Sequence, residues 1–213
     1  MLDAVIQSQA LRTAGAPPSR AKGVVLLIHG RGATADSMLP LADVIAMPDL
    51  CYLAPQAEGY TWYPQSFMAP AETNEPFLSS ALSRIAAIIS GILDTGITPE
   101  KLAVIGFSQG ACLASETVLR NPEAYAFVGV LSGGAIGPPG TPRDYAGSLA
   151  GASVFLGCAD HDAHIPLGRV QETSQVFRGM GADVTERIYP GSMHGVNDDE
   201  IGHLRKGLLP LST

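Results

Sequence analysis

A chain of 213 residues, 46% hydrophobic and 15% charged, can bury a sizeable core without disulfides or metals, and this composition excludes a disordered chain. The formal net charge of −7 argues against nucleic acid and anionic membrane surfaces as main partners and serves ordinary solubility. Three cysteines, Cys51, Cys112 and Cys158, are widely spaced in apolar sequence without a CxxC pattern, which predicts reduced core thiols and a cytoplasmic protein.

Met1 to Gly15 carries neither a basic n-region nor an apolar h-region, so no signal peptide is expected. Within it, the short apolar segment Ala4 to Gln7 reads as an edge strand. Gly23 to Ile28 (GVVLLI) is the first strong strand pattern. It also holds the longest apolar run, far too short to span a bilayer, so no stable membrane association is expected. A helix is predicted near Ala35 to Ile45 and a strand over Leu50 to Ala54. Residues 55–74, rich in proline and aromatic residues, read as a long functional loop. Ser79 to Leu93 has a helical apolar period, Lys101 to Phe107 is a strand, and Gln109 to Arg120 is a helix. Ala126 to Leu131 is a strand, and residues 133–148 form a Gly/Pro-rich loop. Val154 to Gly157 (strand), Leu167 to Met180 (helix), Val184 to Tyr189 (strand) and Asp198 to Leu208 (helix) complete the series.

No repeat, low-complexity tract or linker interrupts the chain, so residues 1–213 read as one domain. Continuous apolar runs alternating with helical segments predict an α/β fold, a mostly parallel sheet covered on both faces. In such sheets the ligand site lies beyond the C-terminal ends of the strands.

At one of those ends stands Gly106-Phe107-Ser108-Gln109-Gly110, a G-x-S-x-G sequence between a strand and a helix. A sharp strand-to-helix turn brings neighbouring backbone so close that side chains at Gly106 and Gly110 would collide. Ser108 is pushed out above the sheet, at the positive end of the following helix. The competing explanation is a serine that merely caps the helix amides.

A serine nucleophile needs a base. Of the five histidines, His194 occupies a loop directly after the last strand, the place for a base in the chain order Ser, Asp or Glu, His. His203 lies inside the closing helix, and His29 reads as a structural residue bonded to nearby backbone. The base in turn needs a carboxylate to fix its tautomer. Asp160 and Asp162 both follow the strand at Val154 to Gly157, and spacing alone does not choose between them. Asp160, His161, Asp162 and His164 also suggest a metal cluster. Adjacent strand-end residues rarely converge on one ion, and no HExxH or CxxC supports it, so no metal is expected. For the oxyanion, two backbone amides are expected. One is that of Gln109, after the nucleophile. The other is that of Arg31 in His29-Gly30-Arg31-Gly32, whose glycines permit close approach and whose side chain is free to orient a polar substrate group.

Taken together, HGRG (His29 to Gly32), Trp62-Tyr63, GFSQGA (Gly106 to Ala111), DAHIP (Asp162 to Pro166) and SMHG (Ser192 to Gly195) give the chain a family likeness. It resembles the phospholipase/carboxylesterase family of α/β-hydrolases, which includes acyl-protein thioesterases, over roughly residues 23–207. The resemblance implies an α/β-hydrolase fold without a large cap domain. It selects Asp162 as the acid, with Ala163 where proline is usual, and leaves Asp160 as the alternative acid or a supporting residue. It implies that loop 55–74 lines the site in place of a lid, with Trp62, Tyr63, Phe67 and Met68 forming an apolar pocket. Cys112 is expected to pack in the core.

The resulting expectation is a serine carboxylesterase, without cofactor, acting on small to medium esters through an acyl-enzyme. Thioesters of acylated proteins and lysophospholipids suit the same machinery. A perhydrolase or acyltransferase side activity at the same serine is a further reading. A non-hydrolytic sensor of a small ester-like ligand is the reading of another class, and a homodimer is compatible with the sequence.

Overall fold

The computed structural model describes residues 1–212. Seven strands form one sheet: β1 (Arg12–Gly15), β2 (Gly23–Ile28), β3 (Leu50–Ala54), β4 (Leu102–Phe107), β5 (Phe127–Leu131), β6 (Ser153–Ala159) and β7 (Asp183–Tyr189). Their spatial order is β1-β3-β2-β4-β5-β6-β7. Only β1 runs antiparallel, paired with β3. The helices are α1 (Leu2–Ser8), α2 (Pro40–Ile45), α3 (Phe77–Leu93), α4 (Gln109–Arg120), α5 (Leu167–Gly179) and α6 (Asp198–Leu208).

The continuous apolar runs are central strands buried on both faces, because alternate side chains serve two cores. Val24, Leu26 and Ile28 of β2 join Ile85 of α3, Leu113 of α4 and Phe177 of α5. Val25 and Leu27 point the other way, to Ile45 of α2 and Leu204 and Leu208 of α6. Helices therefore cover both faces, as the α/β-hydrolase resemblance implies, with no large cap inserted among the described residues.

Two expectations are corrected. Ala4 to Gln7 is not an edge strand but part of α1, with Leu2 buried and Val5 and Ile6 packed on the core. A short apolar run with members at i, i+3 and i+4 suits a helix as well as a strand. The edge position belongs instead to Arg12–Gly15, whose side chains are mostly exposed and carry no apolar alternation. The single helix expected over Ala35 to Ile45 is a short turn, Asp36–Met38, followed by α2, which starts at Pro40. Proline has no N–H to continue a preceding helix but suits the first turn of a new one.

After β2 the chain moves outward to β3, then returns past β2 to β4 and continues in the opposite direction. The strand order reverses between β2 and β4, where open α/β sheets place their ligands. The loop 29–32 and Ser108 both emerge at that point.

Candidate active site

Ser108 joins β4 to α4 with φ 54° and ψ −121°, a conformation that L-residues rarely adopt. Its N–H donates to the Leu131 carbonyl of β5 (2.9 Å), and its carbonyl accepts from Cys112 N–H (3.0 Å), so the turn is held from both sides. A Cβ at Gly106 would overlap the Gly110 carbonyl, and one at Gly110 would overlap the Ile28 carbonyl. The two glycines meet the steric demand of the elbow. The Ser108 side chain makes no capping hydrogen bond to α4.

That hydroxyl instead meets His194, with Oγ and Nε2 2.8 Å apart. The other ring nitrogen, Nδ1, lies 2.6 Å from Asp162 Oδ2. The second oxygen, Oδ1, accepts from the N–H groups of His164 (2.8 Å) and Ile165 (3.1 Å). Burial raises the Asp162 pKa, but the His194 hydrogen bond, the two backbone donors and the His194 charge outweigh it. The carboxyl is held below its ordinary value. Its side chain is closed to solvent, while 21% of the His194 side chain remains exposed. His194 packs between the Phe107 ring (5.1 Å) and the edge-on His164 ring (4.8 Å).

Asp160 does not reach His194. Its Oδ1 faces His161 Nδ1 (2.7 Å) and accepts from Gly191 N–H (2.8 Å). It ties the end of β6 to the loop that carries His194, a positioning contact at a site where the sequence offered an alternative acid. Because Asp160 and His161 pair outward while Asp162 turns to His194, the side chains of Asp160, His161, Asp162 and His164 do not converge. Among the described residues no three His, Cys, Asp or Glu side chains gather for a metal ion.

Arg31, Gln109 and Ser108 line one cavity of about 410 Å³ together with Tyr63, Phe67 and His164. Gln109 is the first residue of α4, so its N–H has no acceptor within the helix. Its side chain is buried and grips the long loop: Oε1 accepts from Trp62 N–H (3.0 Å) and Thr61 Oγ1 (3.2 Å), and Nε2 donates to the Tyr63 carbonyl (2.8 Å). Arg31 reaches the same loop from the other side. Its guanidinium donates to the carbonyls of Pro64 (2.7 Å) and Gln65 (2.6 Å) and lies 6.0 Å from the centre of the Tyr63 ring. Part of its donor set thus builds the wall itself.

The expected apolar pocket is only partly there. Tyr63 and Phe67 line the cavity; Trp62 and Met68 do not. Trp62 turns away from Ser108, donates its indole N–H to the His29 carbonyl (2.8 Å) and packs on the His29 ring. Met68 is half-buried against the core. His29 is fully buried, with Nδ1 at the Gly30 carbonyl (2.8 Å) and Nε2 accepting from Ala57 N–H (3.0 Å). Burial lowers its pKa, so it stays a neutral strut behind the loop. Cys112 also touches the cavity, its thiol pushed up to about 12 by burial.

Sequence reasoning did not single out Pro64, Gln65, Ser66, His164 and Ile165 as lining residues. The first three lie in loop 55–74, which was expected to line the site as a whole but has no periodicity to say which of its side chains face inward. His164 stood in view within the DAHIP segment, but only as a metal ligand. It also missed how loop 133–148 is held: Arg169 of α5 donates to the carbonyls of Ala135 (2.6 Å) and Gly137 (2.7 Å), and Gly137 N–H donates to the Phe67 carbonyl (2.7 Å). No sequence signal marked this, because Arg169 reads as an ordinary helical arginine until its burial is seen.

Comparison with known proteins places the chain in a family. The yeast (Saccharomyces cerevisiae) acyl-protein thioesterase 1 is 28% identical over 133 residues, 62% of this chain and 58% of that protein. An Arabidopsis thaliana probable carboxylesterase SOBER1-like is 24% identical over 140 residues, 66% of this chain and 53% of that one. The matches span little more than half the length of these two relatives. The crystal structure of a phospholipase/carboxylesterase from Dyadobacter fermentans superposes with a TM-score of 0.89 at 38% identity, covering 93% of this chain and 95% of that one. The phospholipase/carboxylesterase family model matches residues 13–209, and the chain belongs to that family.

Proposed function

We propose that the protein is a serine hydrolase of small to medium carboxylic esters. The observation that carries this reading is the unbroken contact series from Ser108 Oγ through His194 (2.8 Å) to Asp162 (2.6 Å), at the wall of an open cavity.

The chemistry follows from the proton positions. An ionised Asp162 accepts Nδ1–H, which leaves Nε2 of the neutral imidazole as acceptor for the Ser108 proton. Ser108 Oγ attacks the ester carbonyl as that proton moves to Nε2. The oxyanion is held by the backbone N–H groups of Arg31 and Gln109. Collapse breaks the bond to the alcohol oxygen, which takes the proton from Nε2 and leaves. A water molecule, deprotonated by the same nitrogen, attacks the acyl-enzyme and releases the carboxylic acid, restoring Ser108. A cavity of about 410 Å³ with no cap suits a small or medium substrate. Three free, buried cysteines suit a reducing, cytoplasmic location.

The yeast relative's name favours a second reading, thioesters of acylated proteins, to which the same attack applies. The deciding experiment is hydrolysis of p-nitrophenyl esters from acetyl to palmitoyl by the wild type and Ser108→Ala. The proposal expects Ser108-dependent rates that peak at short or medium chains. A peak at long chains would favour thioesters and lysolipids. Equal inertness of both proteins on every ester would sink the enzyme reading and favour a ligand sensor.

A further inference from the structure

Resting on the ester-hydrolase reading, we infer that the Arg31 side chain selects esters carrying a second, anionic group. The protein is acidic overall, with a formal charge of −7, yet the described lining of the Ser108 cavity contains no carboxylate. Its ionisable lining is Arg31, His164 and His194, besides the buried Tyr63 and Cys112. Among the described residues Arg31 has no ion-pair partner, whereas the buried Arg169 of α5 is paired with Glu172.

The Arg31 guanidinium is also fixed in place. Two of its five N–H donors hold the Pro64 and Gln65 carbonyls, and its plane is steadied near the Tyr63 ring. Three donors remain for a ligand, and none of their orientation entropy has to be lost on binding. The backbone of the same residue is the proposed oxyanion donor. An anion on this guanidinium would therefore share the cavity that Ser108 lines.

A second groove has the reverse character. Past Gly30 and Phe107 lies a groove of about 490 Å³ lined by Met38, Leu41, Val196 and Ile201, and its one charged lining residue is Asp198. An anionic substrate group is repelled there and attracted toward Arg31. A carboxylate is the simplest such group, and it can sit on the acyl half or the alcohol half of the ester.

The test compares two pairs of esters by proton release at constant pH. Monomethyl succinate against methyl valerate places the carboxylate on the acyl half. O-butyrylglycolate against propyl butyrate places it on the alcohol half. The wild type is expected to favour one anionic ester over its neutral partner by about tenfold in kcat/KM, the usual worth of one charge-assisted hydrogen bond. That ratio is expected to shrink with added salt. Arg31→Met should bring the ratio to one or below, and Arg31→Lys should restore part of it. Because each ratio is taken within one protein, a general loss of activity from a loosened 64–65 segment does not imitate the effect. Neutral esters cleaved as fast as anionic ones in the wild type, or a preference unchanged in Arg31→Met, would overturn the inference and leave the hydrolase reading standing. No hydrolysis of any of the four would overturn both.

Discussion

The side-chain amide of Gln109 holds Tyr63 by its carbonyl at 2.8 Å and, in the same grip, the N–H of Trp62 at 3.0 Å. One residue thus combines the backbone N–H beside Ser108 that the proposed mechanism uses with a side-chain clamp on the loop that forms the cavity wall. Replacing it by alanine leaves the buried N–H of Trp62 without a partner and the Tyr63 carbonyl with Thr61 Oγ1 (3.1 Å) alone. Gln109→Ala is expected to lower kcat/KM by about 10- to 100-fold and stability by about 1–3 kcal/mol. Steady-state kinetics and urea unfolding check both numbers. An activity loss without any loss of stability would show that the clamp carries no weight.

Ser108 sits at positive φ, and on the proposed mechanism its hydroxyl is the nucleophile. Ser108→Ala and Ser108→Gly should both lose at least about 10⁴-fold in kcat. The two should differ in stability, because glycine adopts this conformation without the strain that a Cβ brings. Ser108→Gly is expected to be about 1 kcal/mol more stable than Ser108→Ala. Equal unfolding midpoints would remove strain from the account of the elbow.

Gly110 separates α4 from β2 by less than the width of a methyl group. A Cβ there meets the backbone carbonyl of Ile28, which cannot rotate away as a side chain can. Gly110→Ala is expected to cost about 3 kcal/mol or more and to shift the 29–32 loop that the oxyanion reading depends on. Thermal unfolding together with kcat measures the two effects.

Two buried carboxyls act on stability in opposite directions with pH. Glu200 of α6 is 1% exposed; one oxygen accepts from Asn197 N–H and the other has no partner. Burial pushes its pKa up to about 7. A raised carboxyl binds its proton more tightly folded than unfolded. Its contribution is therefore most favourable below the unfolded value of about 4.5 and is lost as pH rises through about 7. Glu200→Gln should gain about 3 kcal/mol over the wild type at pH 8 and little at pH 4, as seen by urea unfolding. A variant no more stable than the wild type at pH 8 would contradict this.

Asp162 has the reverse sign. Its lowered pKa stabilises the fold above the ordinary carboxyl value, and that stability is lost as pH falls through the lowered one. Asp162→Asn should flatten the acid limb of the stability curve. On the proposed mechanism it should also reduce kcat by about 10³- to 10⁴-fold, because an amide no longer fixes the His194 tautomer. Retained kcat in Asp162→Asn would argue against its place behind His194.

Local pattern alone was enough for the central strands, for α4 and α6, and for the elbow at Ser108. Each rests on forces that act along a few residues: paired-face burial of GVVLLI and LAVIGF, the apolar period of the helices, the collision that Gly106 and Gly110 avoid. The placement of His194 after the last strand followed from chain order in the same way. Spacing could not choose between Asp162 and Asp160, and only the family resemblance pointed to Asp162; the folded chain separates them because the two, with one residue between them, differ in what lies across from them, His194 or the pair of His161 and Gly191. Likewise Trp62 and Tyr63 are neighbours of similar character, and it took the contacts of His29 and Gln109 to send one away from the cavity and the other into it. The edge strand Arg12–Gly15 has no apolar signal because its stability comes from backbone pairing with β3, a partner 36 or more residues away. What the sequence by itself determined was which residue types stand at the strand ends. Which of them touch was decided by long-range packing, because a side chain's direction in a loop depends on partners that sequence distance does not reveal.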